Sequence, residues 1–370
     1  MSTSESTSES TSEVVKESAV THYAIALTSA IQSATVYTGD IIQGIPVISE
    51  LNIHDLEPGR LHRFYFQGVQ MGTGQHWYVP IVVARGLQDG KRIGLISGVH
   101  GDEVSSIDAV QRIMAEIDPT KLAGTAIAVY GVARPAVESI QAKWPSAQAG
   151  GCFIDLNRVW PGNETGNDAP TRQAGLLWNR LLKNNIDIAI DYHTVSTGSD
   201  FTLFIYADLQ KPEIRQMAEL FPVEQIKHDA GEKGTLETAL VEAGIPALTV
   251  EIGSPRIFDK HKIAVTVEGT LNVLKHYQMM EGAIARTAKE AATFFGDSFE
   301  TIRSNAGGYL ELLVDVKDHV TPGQKVAIQR NAFGDVVAEY TASVNGAVAT
   351  IARDALSEPG TRIMQILYQS

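Results

Sequence analysis

The sequence predicts an α/β protein: a three-layer α/β/α domain followed by an all-β C-terminal domain of barrel-sandwich type. Three observations predict it. Between residues 93 and 281, short apolar runs alternate with segments whose apolar residues recur at helical spacing, the pattern of a largely parallel sheet covered on both faces. After about residue 297 the helical period stops, and short β-type runs are separated by Pro322-Gly323, Asn345-Gly346 and Pro359-Gly360. The composition is that of a globular chain long enough for two domains: 370 residues, 44% of them apolar and 20% charged.

In chain order, residues 1–18 read MSTSESTSESTSEVVKES, with almost nothing to bury, so a disordered Ser/Thr/Glu-rich tail is expected. Residues 19–296 form the expected main domain. Its first part, to about residue 90, mixes runs such as HRFYFQGV and HWYVPIVVARG with the turn signals Pro58-Gly59 and Asp89-Gly90, predicting antiparallel or edge strands. Ile93–Val99 is a buried strand, and Val104, Ile107, Val110, Ile113, Met114 and Ile117 mark the helix it feeds. A second apolar run covers 125–133. A helical pattern over 172–184 runs through Leu177, Trp178, Leu181 and Leu182. Strands follow at 186–192 and 246–252. The last helix of the domain, roughly 262–281, carries Val267, Leu271, Leu274 and Tyr277 on one face.

Residues 297–370 hold the runs YLELLVDV, KVAIQR, VVAEYTASV, AVATIA and RIMQIL. Their spacing is similar to that of lipoyl-type domains, but no lysine occupies the Asn345-Gly346 hairpin. A carrier role is therefore disfavoured, and a structural, capping or oligomer-forming role is favoured.

Composition excludes several partners. Forty-three acidic against thirty basic residues give a formal charge of −13, which repels nucleic acid. No stretch reaches the ~18 uninterrupted apolar residues of a membrane span, and there is no apolar signal core, so no membrane partner and a cytoplasmic location are expected. The single cysteine, Cys152, rules out an intrachain disulfide and a Cys-rich zinc site; a small buried apolar filler is its favoured role. Assembly into a homo-oligomer stays open.

The chemistry concentrates at the ends of apolar runs. In Ile96-Ser-Gly-Val-His100-Gly-Asp-Glu103 a strand ends, two glycines permit a close turn, and a helix begins. His100 and Glu103 can point at one metal ion, and a catalytic zinc site takes three protein ligands plus water. The third is offered by His193 in Ile188-Ala-Ile-Asp-Tyr-His193-Thr, at the end of a strand that alternates through Ile186, Ile188, Ile190 and Tyr192. Ligands of open parallel sheets bind outside the carboxyl ends of the strands, where both histidines fall. Glu251, in Pro246-Ala-Leu-Thr-Val-Glu251-Ile-Gly253, is a carboxylate at another strand end, suited to act as general base and then proton donor. In Phe153-Ile-Asp155-Leu-Asn157-Arg158 an amide and a guanidinium stand side by side, suited to a substrate carboxylate. Each piece has a bland alternative. Glu103 can simply favour a helix start, Arg158 can pair with Asp155, and Glu251 with Arg256 or Lys260. The coincidence of four polar elements on one sheet edge favours a single metal site.

These residues resemble a known family. GVHGDE, DLNR, DYH and VEIG, in that order, are similar to the motifs of the succinylglutamate desuccinylase/aspartoacylase family, a branch of the zinc carboxypeptidase-like fold. The similarity spans about residues 90–280 and extends to the C-terminal β region. It implies that one Zn2+ ion is bound by His100, Glu103 and His193, that Glu251 activates water, and that Asn157 and Arg158 contact the substrate carboxylate. The activity it implies is zinc-dependent hydrolysis of the amide of a small N-acyl amino acid or related amine. Two departures stand out: Asp102 replaces the usual asparagine of HGNE, and no base occupies 148–154, where aspartoacylase-type members place a second arginine. Arg134, Lys143 and Arg172 are the candidates to replace it. The rival expectations are a carboxypeptidase, which would need an open groove, and a non-catalytic metal-binding module, which would need a closed four-ligand site.

Overall fold

The apolar runs pair into one eleven-stranded sheet in the computed structural model, which describes residues 34–370. The tail assigned to residues 1–18 lies outside the described residues. From one edge to the other the strands are Val36–Ile42, Ile45–Glu50, Arg60–Gln70, His76–Arg85, Ala123–Tyr130, Gln88–Ser97, Ile188–His193, Ala247–Ile252, Leu203–Ala207, Gln225–His228 and Phe294–Gly296. The centre of the sheet is parallel. Gln88–Ser97 pairs with Ile188–His193, setting Ser97 opposite Tyr192, and Ile188–His193 pairs with Ala247–Ile252, setting Glu251 opposite His193. Three central strands therefore deliver their carboxyl ends to one edge.

The sheet is mixed where the sequence suggests a largely parallel one. His76–Arg85 is antiparallel to both neighbours, and Leu203–Ala207 is antiparallel to Ala247–Ile252. The cause at Leu203 is the short connection after His193. A parallel return needs a crossover of roughly a dozen residues or more, so residues 194–202 stay at the same edge and re-enter the sheet in reverse.

Helices cover both faces. Val104–Glu116, Pro212–Glu219 and Lys260–His276 bury Val110, Ile113, Met217 and Val273 against one side. Arg134–Ser139, Ala169–Leu177 and Leu236–Glu242 bury Ala136, Leu177 and Leu240 against the other. The expected helix at 262–281 stops at His276, because Gln278 adopts a left-handed conformation (φ 58°). Its most buried stripe includes Thr266, Thr270 and Asn272. These polar residues are satisfied internally, Thr270 by the Tyr192 hydroxyl at 2.8 Å and Asn272 by the carbonyls of Leu220 and Arg286.

Cys152 is exposed, not a buried filler. It lies on the two-stranded hairpin Trp144–Ser146/Cys152–Ile154, which pairs with neither large sheet; Trp144 anchors the hairpin in the core, while the Cys152 strand stays at the surface. Among the described residues no helix is long and apolar enough to cross a membrane.

The C-terminal region is β-rich. One small sheet joins Ser298–Arg303, Arg362–Tyr368 and Gly346–Ala352, and a second joins Leu356–Ser357, Gly308–Leu312, Lys325–Arg330 and Val336–Thr341. Ser199–Phe201, from the loop after His193, pairs with Gly346–Ala352 and ties this region to the edge where the central strands end. Phe201, Phe204, Ala349 and Leu367 pack together at the junction. Ile190, fully buried in the central strand, tests the load on this core: Ile190→Ala is expected to cost about 2–5 kcal/mol in denaturant unfolding.

Candidate active site

The turn after Gln88–Ser97 is shaped by glycine at two positions. Gly98 has φ +68°, and a Cβ there would lie 2.6 Å from Gly131 Cα; at Gly101 a Cβ would lie 2.0 Å from the carbonyl carbon of Ala136. Only glycine lets the chain pass so close to the next crossover. That approach carries His100 and Glu103 over the sheet edge. Glu103 is the N-cap residue of Val104–Glu116, yet its side chain makes no capping bond. It turns away from its own helix towards the two histidines, so helix-start stabilisation does not explain it.

His100, Glu103 and His193 form one cluster, with a ligand atom from each within 4.8 Å of the others. His100 Nδ1 donates to Glu103 Oε1 at 2.8 Å, and His193 Nδ1 donates to Glu103 Oε2 at 2.9 Å. The Thr194 backbone N–H adds a bond to Oε2 at 3.1 Å. Each imidazole is held from behind: His100 Nε2 donates to Asp155 Oδ1 at 3.0 Å, and His193 Nε2 to Asp191 Oδ2 at 2.9 Å. Carboxylates on the far nitrogen orient a metal-binding imidazole and raise its basicity. The arrangement has two imidazole nitrogens and a carboxylate converging, both rings fixed by anions, and a fit to one divalent cation.

The charges agree with that fit. Burial lowers the His100 pKa, but the Glu103 and Asp155 carboxylates outweigh it and carry the ring up to about 9. His193 is likewise opposed by burial and raised well above its ordinary value by Asp191 and Glu103. Burial raises Glu103, yet the two histidines hold it down at about 2. Asp155 also falls to about 2, the His100 bond overcoming burial. Three carboxylates thus demand positive charge at this point, a demand that a cation held by His100, Glu103 and His193 would meet in place of the imidazole protons.

A cavity of about 290 Å3 opens beside the cluster, and Asn157, Arg158 and Glu251 line it together with His100, Glu103 and His193. Glu251 Oε2 is buried with no hydrogen-bond partner among the described residues. Burial lifts this carboxyl to about 7, against the pull of His193. Neither suggested counterion answers it: Arg256 stands with its Nε 3.9 Å from Asp102 and its Nη2 donating to the Ile140 carbonyl, and Lys260 is exposed and forms no ion pair with Glu251 among the described residues. Arg158 pairs with Glu232 at 3.2 Å rather than with Asp155. Asn157 Oδ1 accepts the Leu236 N–H at 2.9 Å, fastening Leu236–Glu242 to the cavity wall.

None of Arg134, Lys143 and Arg172 lines the cavity. Arg134 pairs with Glu138, Arg172 donates to the Gly166 carbonyl at 2.6 Å, and Lys143 is exposed. The additional guanidinium is Arg362, from the C-terminal strand Arg362–Tyr368, joined there by Thr350 and Gln365. Nothing in RIMQIL marks it, because the run reads as an ordinary strand. Asp155 and Asp191 also escape notice as supports, although they are the first residues of the DLNR and DYH motifs. Tyr206, Asp229, Thr249 and Glu237 complete the wall without any motif of their own.

Two measurements test this geometry. Asp155→Asn and Asp191→Asn are each expected to weaken metal binding about 10–100-fold in a chelator competition. Glu237 is pushed up to about 8, by burial first and Asp229 second. Its neutral form stabilises the fold fully below about pH 4.5, the ordinary carboxyl value, and that contribution is lost as pH rises through about 8. Thermal unfolding of Glu237→Gln should therefore match the parent near pH 5 and exceed it increasingly towards pH 9.

Residues 89–277 match the model of the succinylglutamate desuccinylase/aspartoacylase catalytic domain. A curated relative, N-alpha-acetyl-L-2,4-diaminobutyric acid deacetylase of Halomonas elongata, is 26% identical over 283 residues, covering 73% of this chain and 80% of its own. Two solved structures share the fold. A succinylglutamate desuccinylase/aspartoacylase from Rhodobacter sphaeroides has a TM-score of 0.73 at 21% identity, covering 85% of this chain and 98% of its own. The ectoine utilization protein EutE (DoeB) from Ruegeria pomeroyi, in a product-bound structure, has a TM-score of 0.74 at 20% identity over 85% and 97%. With its family model spanning half of its length and the motif residues gathered at one cavity, this chain belongs to the succinylglutamate desuccinylase/aspartoacylase family.

Proposed function

We propose that the protein is a zinc-dependent deacylase that hydrolyses the amide of a small N-acyl amino acid. The observation that carries this reading is Glu251, a half-buried carboxylate on the wall of the His100–Glu103–His193 cavity whose Oε2 is enclosed and has no hydrogen-bond partner among the described residues. A carboxylate left in that state is costly unless it has a chemical task. The relative from Halomonas elongata, by its name a deacetylase of an N-acetylated amino acid, supports the same reaction class.

His100, Glu103 and His193 would hold the zinc ion, with Asp155 and Asp191 fixing the imidazoles. A bound zinc ion supplies Lewis acidity to an amide carbonyl and to water near neutral pH. Glu251 accepts the proton of the attacking water and returns it to the departing amine nitrogen. Its elevation to about 7 keeps it close to the balance between base and acid that this double role needs. Asn157 and Arg158 bind the carboxylate of the amino acid portion. Asn157 is held in place by its bond to Leu236, and Arg158 exchanges Glu232 for the incoming anion.

The C-terminal β region, which we assign to residues 297–370 with a barrel-sandwich-like form, contributes Thr350, Arg362 and Gln365 to the cavity. Residues 19–296 carry the chemistry. A cavity of about 290 Å3 walled partly by this region supports a small amide over a peptide, and a cluster of three ligands rather than four supports catalysis over a structural metal.

Glu251→Gln is expected to retain stoichiometric zinc while kcat falls by a factor of 10² or more, measured by metal analysis and by release of free amine from N-acyl amino acids. His193→Ala should lose zinc and activity together; full metal content in that variant would remove His193 from the ligand set.

A further inference from the structure

Glu237 takes no part in holding a metal or moving a proton, yet it is among the most buried charged groups of the cavity wall. It is 7% exposed, and it lines the same cavity as the catalytic cluster. One carboxylate oxygen accepts the Thr238 hydroxyl at 3.3 Å, and the other has no hydrogen-bond partner among the described residues. The neighbouring acids are answered: Glu232 by Arg158 at 3.2 Å, and Asp229 by Lys227 at 3.7 Å and by the Gly231 N–H at 3.2 Å. Glu237 has no ion-pair partner among the described residues, and the charges that bear on it from Asp229, Asp191 and Asp208 are of its own sign.

A buried carboxylate among like charges disfavours its own ionisation. It therefore binds strongly whatever cation restores the balance. Within a substrate cavity that cation is part of the ligand. Its place is defined by the chain: Glu237 follows Leu236, whose N–H is bound by Asn157, and Gly234 packs against the Arg158 backbone. The cation contact and the proposed carboxylate contact thus share one wall.

We infer that Glu237 is the specificity-determining residue of the cavity and selects N-acyl amino acids whose short side chain ends in a cationic amine. The inference rests on the deacylase reading and narrows it. Arg158 and Asn157 receive the α-carboxylate, Glu237 receives the side-chain ammonium, and the acyl amide is presented to the His100–Glu103–His193 cluster. An acyl amino acid with an anionic side chain would place a second carboxylate against Glu237 and is excluded.

The test uses three near-isosteric substrates with the zinc-loaded full chain: Nα-acetyl-L-2,4-diaminobutyrate, Nα-acetyl-L-norvaline and Nα-acetyl-L-glutamate. The parent is expected to prefer the first over the second by at least tenfold in kcat/KM, with the third poorest. In Glu237→Gln the preference for diaminobutyrate over norvaline should shrink by tenfold or more. A ratio within twofold of the parent overturns the inference; that the variant is folded is established separately, by parent-like thermal unfolding near pH 5 and parent-like zinc content. If none of the three is hydrolysed, the deacylase reading fails. Calorimetric binding of free L-2,4-diaminobutyrate then still decides the matter: tenfold weaker binding in Glu237→Gln supports the role of Glu237, and equal affinity overturns it.

Discussion

The carboxylate of Glu103 is the point on which the site depends. Its two oxygens join two imidazoles from different parts of the chain, and a backbone N–H from Thr194 fixes its direction. It is almost completely buried. An anion in that position is tolerated only because positive charge surrounds it. Asp155 and Asp191 carry the same demand outward, so five titratable groups form one continuous network in which no member is satisfied alone. Removing any of them leaves a buried charge without its partner.

The sheet makes this network possible. Parallel neighbours end at the same edge, and His193 and Glu251 are register partners on adjacent strands. One strand further along, the turn through Gly98 and Gly101 brings His100 across. Rigid strands position three of the chemical groups, while the crossover turns supply Asp155, Asn157 and Arg158. The antiparallel strand Leu203–Ala207 adds Tyr206 beside Thr249, its register partner, so the reversal after His193 builds one wall of the cavity. The loop that makes this reversal also pairs with the C-terminal region. The same short connection therefore shapes the sheet, closes the cavity and docks the β-rich region over it.

Cavity polarity follows from which acids are paired. Glu232 pairs with Arg158, and Asp229 with Lys227. Glu251 and Glu237 form no ion pair among the described residues, and burial pushes both upward. These two carboxylates, one beside the cluster and one beside the Asn157–Arg158 turn, give the cavity direction. In the proposed reaction the metal ligands would set where the amide reacts, and the acids and arginines how the substrate lies.

The sequence by itself determined the alternation of strand and helix, the switch to β structure near residue 297, and the residues His100, Glu103, His193 and Glu251 as candidates for one site. These are legible because apolar periodicity is local, and because a polar residue at the end of a buried run has few other reasons to be there. Tertiary structure decided the rest. Which carboxylate supports which histidine, the antiparallel turn at Leu203, the exposure of Cys152, and the entry of Arg362 and Glu237 into the cavity all depend on contacts between residues far apart in the chain. Asp155 reads as the natural mate of Arg158 until folding brings His100 within 3.0 Å of it. Hydrogen bonds and ion pairs are chosen by distance in space, and a linear pattern carries that information only where neighbours in sequence are also neighbours in the fold.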